Sequence, residues 1–548
     1  MPAGVRNPRL GRLRRHPVLS LTVALLVLAG VVFGGAWGYR VLFPPALPCG
    51  SGMTAAGSPL ACVGVNLDST SFTKDEPARM RKLEETIRTA NEAVEGNSTS
   101  VVLMLNFSPV EDVDTLTYDS LYHNIEGAIA AVWRANNTAA YGSTPGVKLY
   151  LANMGSQYAS WQETVARVKK YAASEHISAV IGLGQSTEQT RQAAAALSSQ
   201  LHLPVIGSTV TGNSMNLDPS DPTGKRPIPD MFRVSPTNSD SVIAANQYVS
   251  GLRPEVTSLA VVADSVADDD YTATLAAEAK TRFQAPDRTV TVLPYTSPRS
   301  LPSGAGRQDY LIQQFNLMHA NLCQAAPSVV YFAGRGRDLG AFVQNWVQGA
   351  PCGIPQLRIL VGDDASEAIR DDAVLKGVAS GRVTVAYTAL ASPDEWGTEC
   401  PGSDAKRNYD QFWSAFTGRP DPCTKQPLAT TQAGAAPLAF DPADLASGQA
   451  MLTHDAAVAA ISAARHDEAG LKNPGLETGI LHQFYCAQML PGASGWLSFG
   501  ADGNPVGKPA PIVQFNPDGT TKTITLTWPS SAPNLSLPQR GGTGAPGC

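Results

Sequence analysis

The chain has 548 residues, 43% of them hydrophobic, and a formal net charge of −6, so it calls for more than one compact unit and has ample apolar content for their cores. Residues 1–40 hold six arginines (Arg6, Arg9, Arg12, Arg14, Arg15, Arg40) and no acid, which leaves −12 on the remainder. A body of that sign lacks the basic surface on which counterion release drives nucleic-acid binding, and a nucleic-acid partner is excluded.

The first element is an address. After five arginines, Val18–Tyr39 runs without a charge and the apolar character resumes through Val41, Leu42 and Phe43. That is long enough to span a bilayer, and the positive flank predicts a cytoplasmic N-terminus with the body outside. The expected arrangement is a single-pass protein of the cell membrane: basic tail 1–17, transmembrane anchor 18–43, extracellular body. A signal peptide cut at Ala36-Trp37-Gly38 is the competing reading. Lipid attachment at Cys49 is disfavoured, because Pro48 stands where processing needs a small residue. Residues 44–62, rich in Pro, Gly and Ser, read as a stalk. The charged stretch Lys74–Val94 reads as a helix with little apolar stripe, so 44–97 is expected to be an appendage.

Eight cysteines, at 49, 62, 323, 352, 400, 423, 486 and 548, all lie after the span, as an oxidising compartment permits. Pairing sequence neighbours gives Cys49–Cys62, Cys323–Cys352 and Cys400–Cys423, and leaves Cys486 and Cys548 unassigned. No CxxC and no Cys/His cluster at zinc spacing occurs, so neither a metal nor a cofactor is expected.

From Ser100 the chain alternates. Buried strands are predicted at 101–105, 148–152, 179–181, 204–206, 258–263, 289–294, 328–332 and 358–360. Helices are predicted at 121–135, 161–174, 188–201, 239–251, 271–283, 309–324 and 339–346. Strands separated by helices of this length form parallel sheets covered on both faces, and so many units call for two doubly wound lobes. Ligands in such sheets sit at the carboxyl ends of the strands, beside helix N-termini with free N–H groups. Two successive strand-end loops share a Gly-plus-hydroxyl composition: Gly182-Leu183-Gly184-Gln185-Ser186-Thr187 and Gly207-Ser208-Thr209-Val210-Thr211. Each hydroxyl also has a plain helix-cap reading.

These runs, followed by Met231-Phe232-Arg233-Val234-Ser235-Pro236, resemble type I periplasmic binding proteins, and within them the branched-chain amino-acid-binding family of ABC-transporter receptors. The likeness continues in order through Val261–Asp264 ahead of Tyr271, Val329–Gly334, Leu360–Asp364, Gly377-Val378, Leu452–Ala457 and Gly495–Phe499 with Asp502–Asn504, covering roughly 98–528. It implies two lobes joined by three crossovers, with the ligand between them. It divides the chain into lobe 1 at 98–236 and 366–480, lobe 2 at 237–365, and a lobe 2 and hinge return at 481–528; the Ser, Pro and Gly content of 529–548 reads as a disordered tail. By the same resemblance Ser186, Thr209 and Thr211 hold a ligand carboxylate, Gln185 adds an amide, and Thr187 of the same loop is counted among the ligand-binding residues. Tyr271 is the aromatic of the second lobe, Arg335 stands where amino-acid binders place an aromatic, and Asp364, with its neighbour Asp363 as the alternative, takes the ligand ammonium. Arg335 and Arg337 imply a ligand with an added anionic or polar group.

Three patterns have ordinary explanations. Gly334-Arg335-Gly336-Arg337-Asp338-Leu339-Gly340 imitates a dinucleotide fingerprint, but its third glycine is one residue late. Asp268-Asp269-Asp270 lacks calcium-loop spacing and reads as a helix start. His454-Asp455 has no nucleophile elbow beside it and reads as a structural pair in an alanine-rich helix. With no Walker A sequence and no HExxH, no enzyme is expected. The expected role is an extracytoplasmic solute-binding protein that serves a membrane permease. The alternative is a sensing or interaction ectodomain that signals through a partner protein.

Overall fold

A computed structural model describes residues 48–529 except 112, 267–268, 299–303, 351, 433–434, 467–475 and 486–487. The expected anchor, the C-terminal tail from 530, Cys486 and Cys548 lie outside the described residues. Among the described residues no helix is long and apolar enough to cross a membrane.

The chain builds two seven-stranded sheets. The first lobe contains β1 (Met53–Ala56), β2 (Ala61–Asn66), α1 (Ala78–Glu92), β3 (Ser98–Leu105), α2 (Tyr118–Asn137), β4 (Gly146–Asn153), α3 (Trp161–Tyr171), β5 (Ile177–Gly182), α4 (Glu188–Leu201), β6 (Val205–Gly207) and β7 (Met231–Arg233). Its strand order is β1-β2-β4-β3-β5-β6-β7. The second lobe continues with α5 (Asn238–Gly251), β8 (Ser258–Asp264), α6 (Asp270–Arg282), β9 (Thr289–Tyr295), α7 (Gly304–Ala325), β10 (Val329–Ala333), α8 (Gly336–Gln348), β11 (Leu357–Val361), α9 (Asp372–Ala379) and β12 (Val383–Thr388). The chain then returns to the first lobe with α10 (Asp404–Thr417), α11 (Gln449–His466), α12 (Leu476–Leu481) and the hairpin β13 (Leu490–Gly492) and β14 (Gly495–Leu497). It ends in the second sheet with β15 (Ala510–Phe515) and β16 (Thr521–Thr527), giving the order β16-β15-β12-β11-β10-β8-β9. The lobes are therefore joined by three crossings, at 234–237, 389–403 and 498–509.

The central strands are parallel, as continuous apolar runs demand. Both sheets are mixed, however: β1–β2, β2–β4, β12–β15 and β15–β16 run antiparallel. The second lobe carries apolar cores on both faces of its sheet, one against α7 and α8 around Phe315, Phe332 and Trp346, the other against α5 and α6 around Val242, Tyr271 and Phe283.

Two expectations need correction. Residues 53–92 are no appendage: β1 and β2 extend the first sheet. Met80, Leu83 and Ile87, spaced three and four apart, bury the inner face of α1, which is the stripe that burial of a surface helix requires. The second lobe also runs on past 365, because β12 pairs in parallel with β11 and a strand cannot leave a sheet that its backbone groups complete.

The disulfides Cys49–Cys62, Cys323–Cys352 and Cys400–Cys423 form as the neighbour pairing expects.

Candidate functional site

The first-lobe wall is made by loops that leave β4, β5 and β6. Gly182 and Gly184 have φ of +100° and +77°, and a Cβ on Gly184 would stand 2.5 Å from the Tyr158 hydroxyl. The loop thus closes down on Tyr158, whose hydroxyl accepts from Gln185 N at 3.1 Å. Thr187 caps α4 in a box with Thr190, and Thr209 Oγ1 donates to Gly184 O at 2.9 Å. Ser186 Oγ accepts from the backbone N–H of both Thr211 and Gly212, each at 3.0 Å. With both lone pairs engaged, its own proton is the group left to offer. Thr211 is 1% exposed, and its hydroxyl has no hydrogen-bond partner.

The second-lobe wall comes from the ends of β10 and β11 and the start of α6. Arg335 is buried, with its guanidinium 4.4 Å over the Tyr271 ring. It donates to both oxygens of Asp269 at 3.0 and 2.8 Å and to Asp364 Oδ1 at 3.1 Å. Asp364 Oδ2 accepts from Gly336 N at 2.7 Å, at the start of α8, and Tyr271 Oη accepts from Asp364 N at 3.2 Å. Two of the expected ligand residues are thus paired with each other. Arg335 is neutralised by two carboxylates and is not a spare cation for a ligand anion. Asp364 accepts one bond at each oxygen inside its own lobe, from Arg335 and from Gly336 N.

Two further acids stand on this wall: Asp363, the sequence-based alternative to Asp364, and Glu367, which sequence reasoning passed over. Asp363 is buried and its Oδ1 has no hydrogen bond. Burial and the adjacent Asp364 charge push its carboxyl up to about 8, against the restraining Arg335 and the Thr211 hydroxyl of the other lobe. Glu367 is half-buried and fastens the lobes together. It accepts from Gln449 Nε2 at 2.6 Å, from Thr117 Oγ1 at 3.4 Å and from Ser120 Oγ, all on the first lobe. Burial and the Asp364 charge push it up to about 7.

Further ties cross the boundary. Thr187 pairs with Asp269 as an antiparallel bridge, Ser214 N donates to Asp270 Oδ2 at 3.0 Å, and Arg337 Nη1 donates to Val113 O at 3.0 Å. Tyr158, also unsuspected from sequence, lies buried within electrostatic reach of Arg335 and Glu367. The sequence signal for it was Gly155 after β4, the same strand-end glycine that marked the next two loops.

The patterns set aside above are structural. Gly334 and Gly340 leave room for the Tyr295 hydroxyl and the Asp371 carboxylate. Asp269 caps α6. His454 is fully buried between Asp455 and Arg134, and burial pushes it down to about 4.

Two lobes, each with a central parallel sheet, three crossings and an inter-lobe face built from strand-end loops define the type I periplasmic binding protein fold. No protein-family model and no curated protein matches the chain. Solved structures do. A leucine-binding protein, LivK, from Thermotoga maritima superposes with a TM-score of 0.53 at 15% identity, over 78% of this chain and 98% of its own. The branched-chain amino-acid transporter substrate-binding protein LivJ from Streptococcus pneumoniae, in complex with isoleucine, gives 0.52 at 17%, over 79% and 100%. An ABC-transporter solute-binding protein from R. palustris, in complex with 4-hydroxybenzoate, gives 0.54 at 12%, over 79% and 97%. The neighbours are transporter solute-binding proteins, and what this chain shares with them is the fold.

Proposed function

We propose that this protein is an extracytoplasmic solute-binding protein that captures a small polar ligand bearing an ammonium group, an amino acid or a related amide, and presents it to an ABC-type importer. The observation that carries this reading is a buried hydroxyl and a buried carboxyl that face each other across the lobe boundary, Thr211 and Asp363, with Thr211 Oγ1 and Asp363 Oδ1 satisfied by nothing in their own lobes. A buried polar atom without a partner costs about 1–3 kcal/mol, and a ligand that supplies the partner recovers it. The free proton of Ser186 and the Thr211 hydroxyl suit the anionic end of a zwitterion. Asp363 suits the cation, in the place first expected of Asp364. Residues 18–43, an arginine-flanked apolar run, would keep the receptor beside its permease with the N-terminus in the cytoplasm, and protease protection in intact cells tests that orientation.

The direct test is a thermal-shift screen of amino acids, small amides and aromatic acids, followed by calorimetry of any hit. Thr211→Val and Asp363→Asn should each weaken the hit at least tenfold. Unchanged affinity in both variants would remove the cleft assignment.

A further inference from the structure

Apart from the residues of the inter-lobe face, the second lobe brings together three ligand side chains. His319 and Cys323 lie four residues apart on α7, and Cys352, bonded to Cys323, follows α8. The donor atoms of all three lie within 4.8 Å of one another. Sequence spacing does not show this set, because Cys352 is 29 residues beyond Cys323 and only the packing of α7 on α8 brings it back.

The imidazole is held in one orientation and one tautomer. Its Nε2 stands 3.0 Å from Ala350 O, which requires Nε2 to carry the proton. The ring packs on Trp346 at 5.2 Å between centroids. Gly349 leaves it space, since a Cβ there would stand 2.3 Å from His319 Cε1. Nδ1 is therefore a lone pair, buried and without a hydrogen bond. A carbonyl that fixes the far nitrogen of a histidine is the support that metal-ligating imidazoles receive. Both cysteines are half-buried, so a small reductant can reach the bond.

We propose that His319, Cys323 and Cys352 form a zinc site gated by the Cys323–Cys352 disulfide. A dithiol reductant gives two electrons and two protons to the disulfide: its own S–S bond forms, the protein's breaks, and two thiols result. Zinc then displaces both thiol protons and takes two thiolates and the neutral Nδ1, with water in the fourth place. Tetrahedral zinc with these ligands needs donor atoms about 3.6–3.8 Å apart, a separation that rotation about the Cα–Cβ bonds of the two freed cysteines can supply. In the oxidised chain both sulfurs are committed to each other and no metal binds. The site thus reports reducing conditions and is independent of the cleft reading.

The test uses the full chain, cobalt(II) as an optical probe and zinc in competition. Reduction with a metal-free phosphine should create one high-affinity cobalt site with thiolate-to-metal absorption. The oxidised chain should show none. His319→Ala and His319→Gln should weaken cobalt binding at least tenfold, with circular dichroism unchanged. Cys323→Ser with Cys352→Ser should abolish the thiolate band, although the other disulfides are still reduced. Absence of a cobalt site after reduction, the same site in the oxidised chain, or equal affinity with and without His319 would each overturn the proposal.

Discussion

Glu367 is the most informative side chain to change, because it is acidic, half-buried and held by the opposite lobe. In an open form its carboxyl returns to water and to its ordinary value of 4.5, whereas in the closed arrangement it is pushed up to about 7. A raised carboxyl binds its proton more tightly in the closed form, so closure is favoured at low pH. The penalty on closure grows as pH rises from about 4.5 to about 7 and is constant above that. At about 1.4 kcal/mol per pH unit the gap corresponds to about 3 kcal/mol, which contact with water reduces to about 2. Glu367→Gln removes the charge and keeps an acceptor for Ser120 or Thr117. At pH 8 it should raise the closed-to-open ratio by about 30-fold, the equivalent of about 2 kcal/mol. Below pH 5 it should change little. Spin labels at the exposed positions Lys169 and Lys280, one on each lobe, read the ratio as an inter-lobe distance distribution. Asp363 also faces the boundary and adds a slope of the same sign, so the comparison is with native chain at each pH. A native closed fraction that is flat from pH 5 to 8, or a variant that keeps the native slope, would refute the reasoning.

Arg335→Met strands Asp269 and Asp364 without their cation. Since side chains of this ion-pair set are 5%, 13% and 11% exposed, the loss should be about 3–5 kcal/mol by denaturant melting, with most of it recovered when Asp269→Asn and Asp364→Asn are added. Binding of an ammonium at Asp363, whose carboxyl stands at about 8, should release up to about one proton at pH 7. Calorimetry in buffers of different ionisation enthalpy measures it, and a buffer-independent enthalpy would contradict the assignment. Gly184→Ala meets both a positive φ of 77° and the Tyr158 hydroxyl 2.5 Å from the new Cβ. It should cost about 1–3 kcal/mol and weaken ligand binding as the Gln185–Thr187 loop lifts, which thermal melting and calorimetry read separately.

The alternating core was legible because parallel strands covered on both faces have to be apolar throughout. Val101–Leu105 and Val329–Ala333, buried at every position, could be read from composition alone. The antiparallel edges were not legible. In β16 half-buried and exposed residues alternate only over its first five residues, 521–525, and β1 lies in a Gly- and Ser-rich stretch that also suits a stalk. The buried stripe of α1 was masked by Arg79, Arg81, Lys82, Glu84 and Glu85, of which Glu84 is itself buried.

The site shows a sharper limit, and a rule that overcomes it. Residue type placed an acid and a base after β10 and β11 but could not show that they neutralise each other. Strand register could. Tyr331 stands opposite Leu360 and Phe332 opposite Val361, so the same offset carried three residues past Phe332 sets Arg335 level with Asp364. Adjacent parallel strands deliver their first loop residues side by side, which makes opposite charges at equal offsets an ion pair before they are ligand contacts. Asp363 is one residue out of that register, at the offset of Gly334, which has no side chain to meet it. The register leaves Asp363 without an in-register partner, which is the reason the proposed function gives the ligand cation to Asp363 rather than to Asp364.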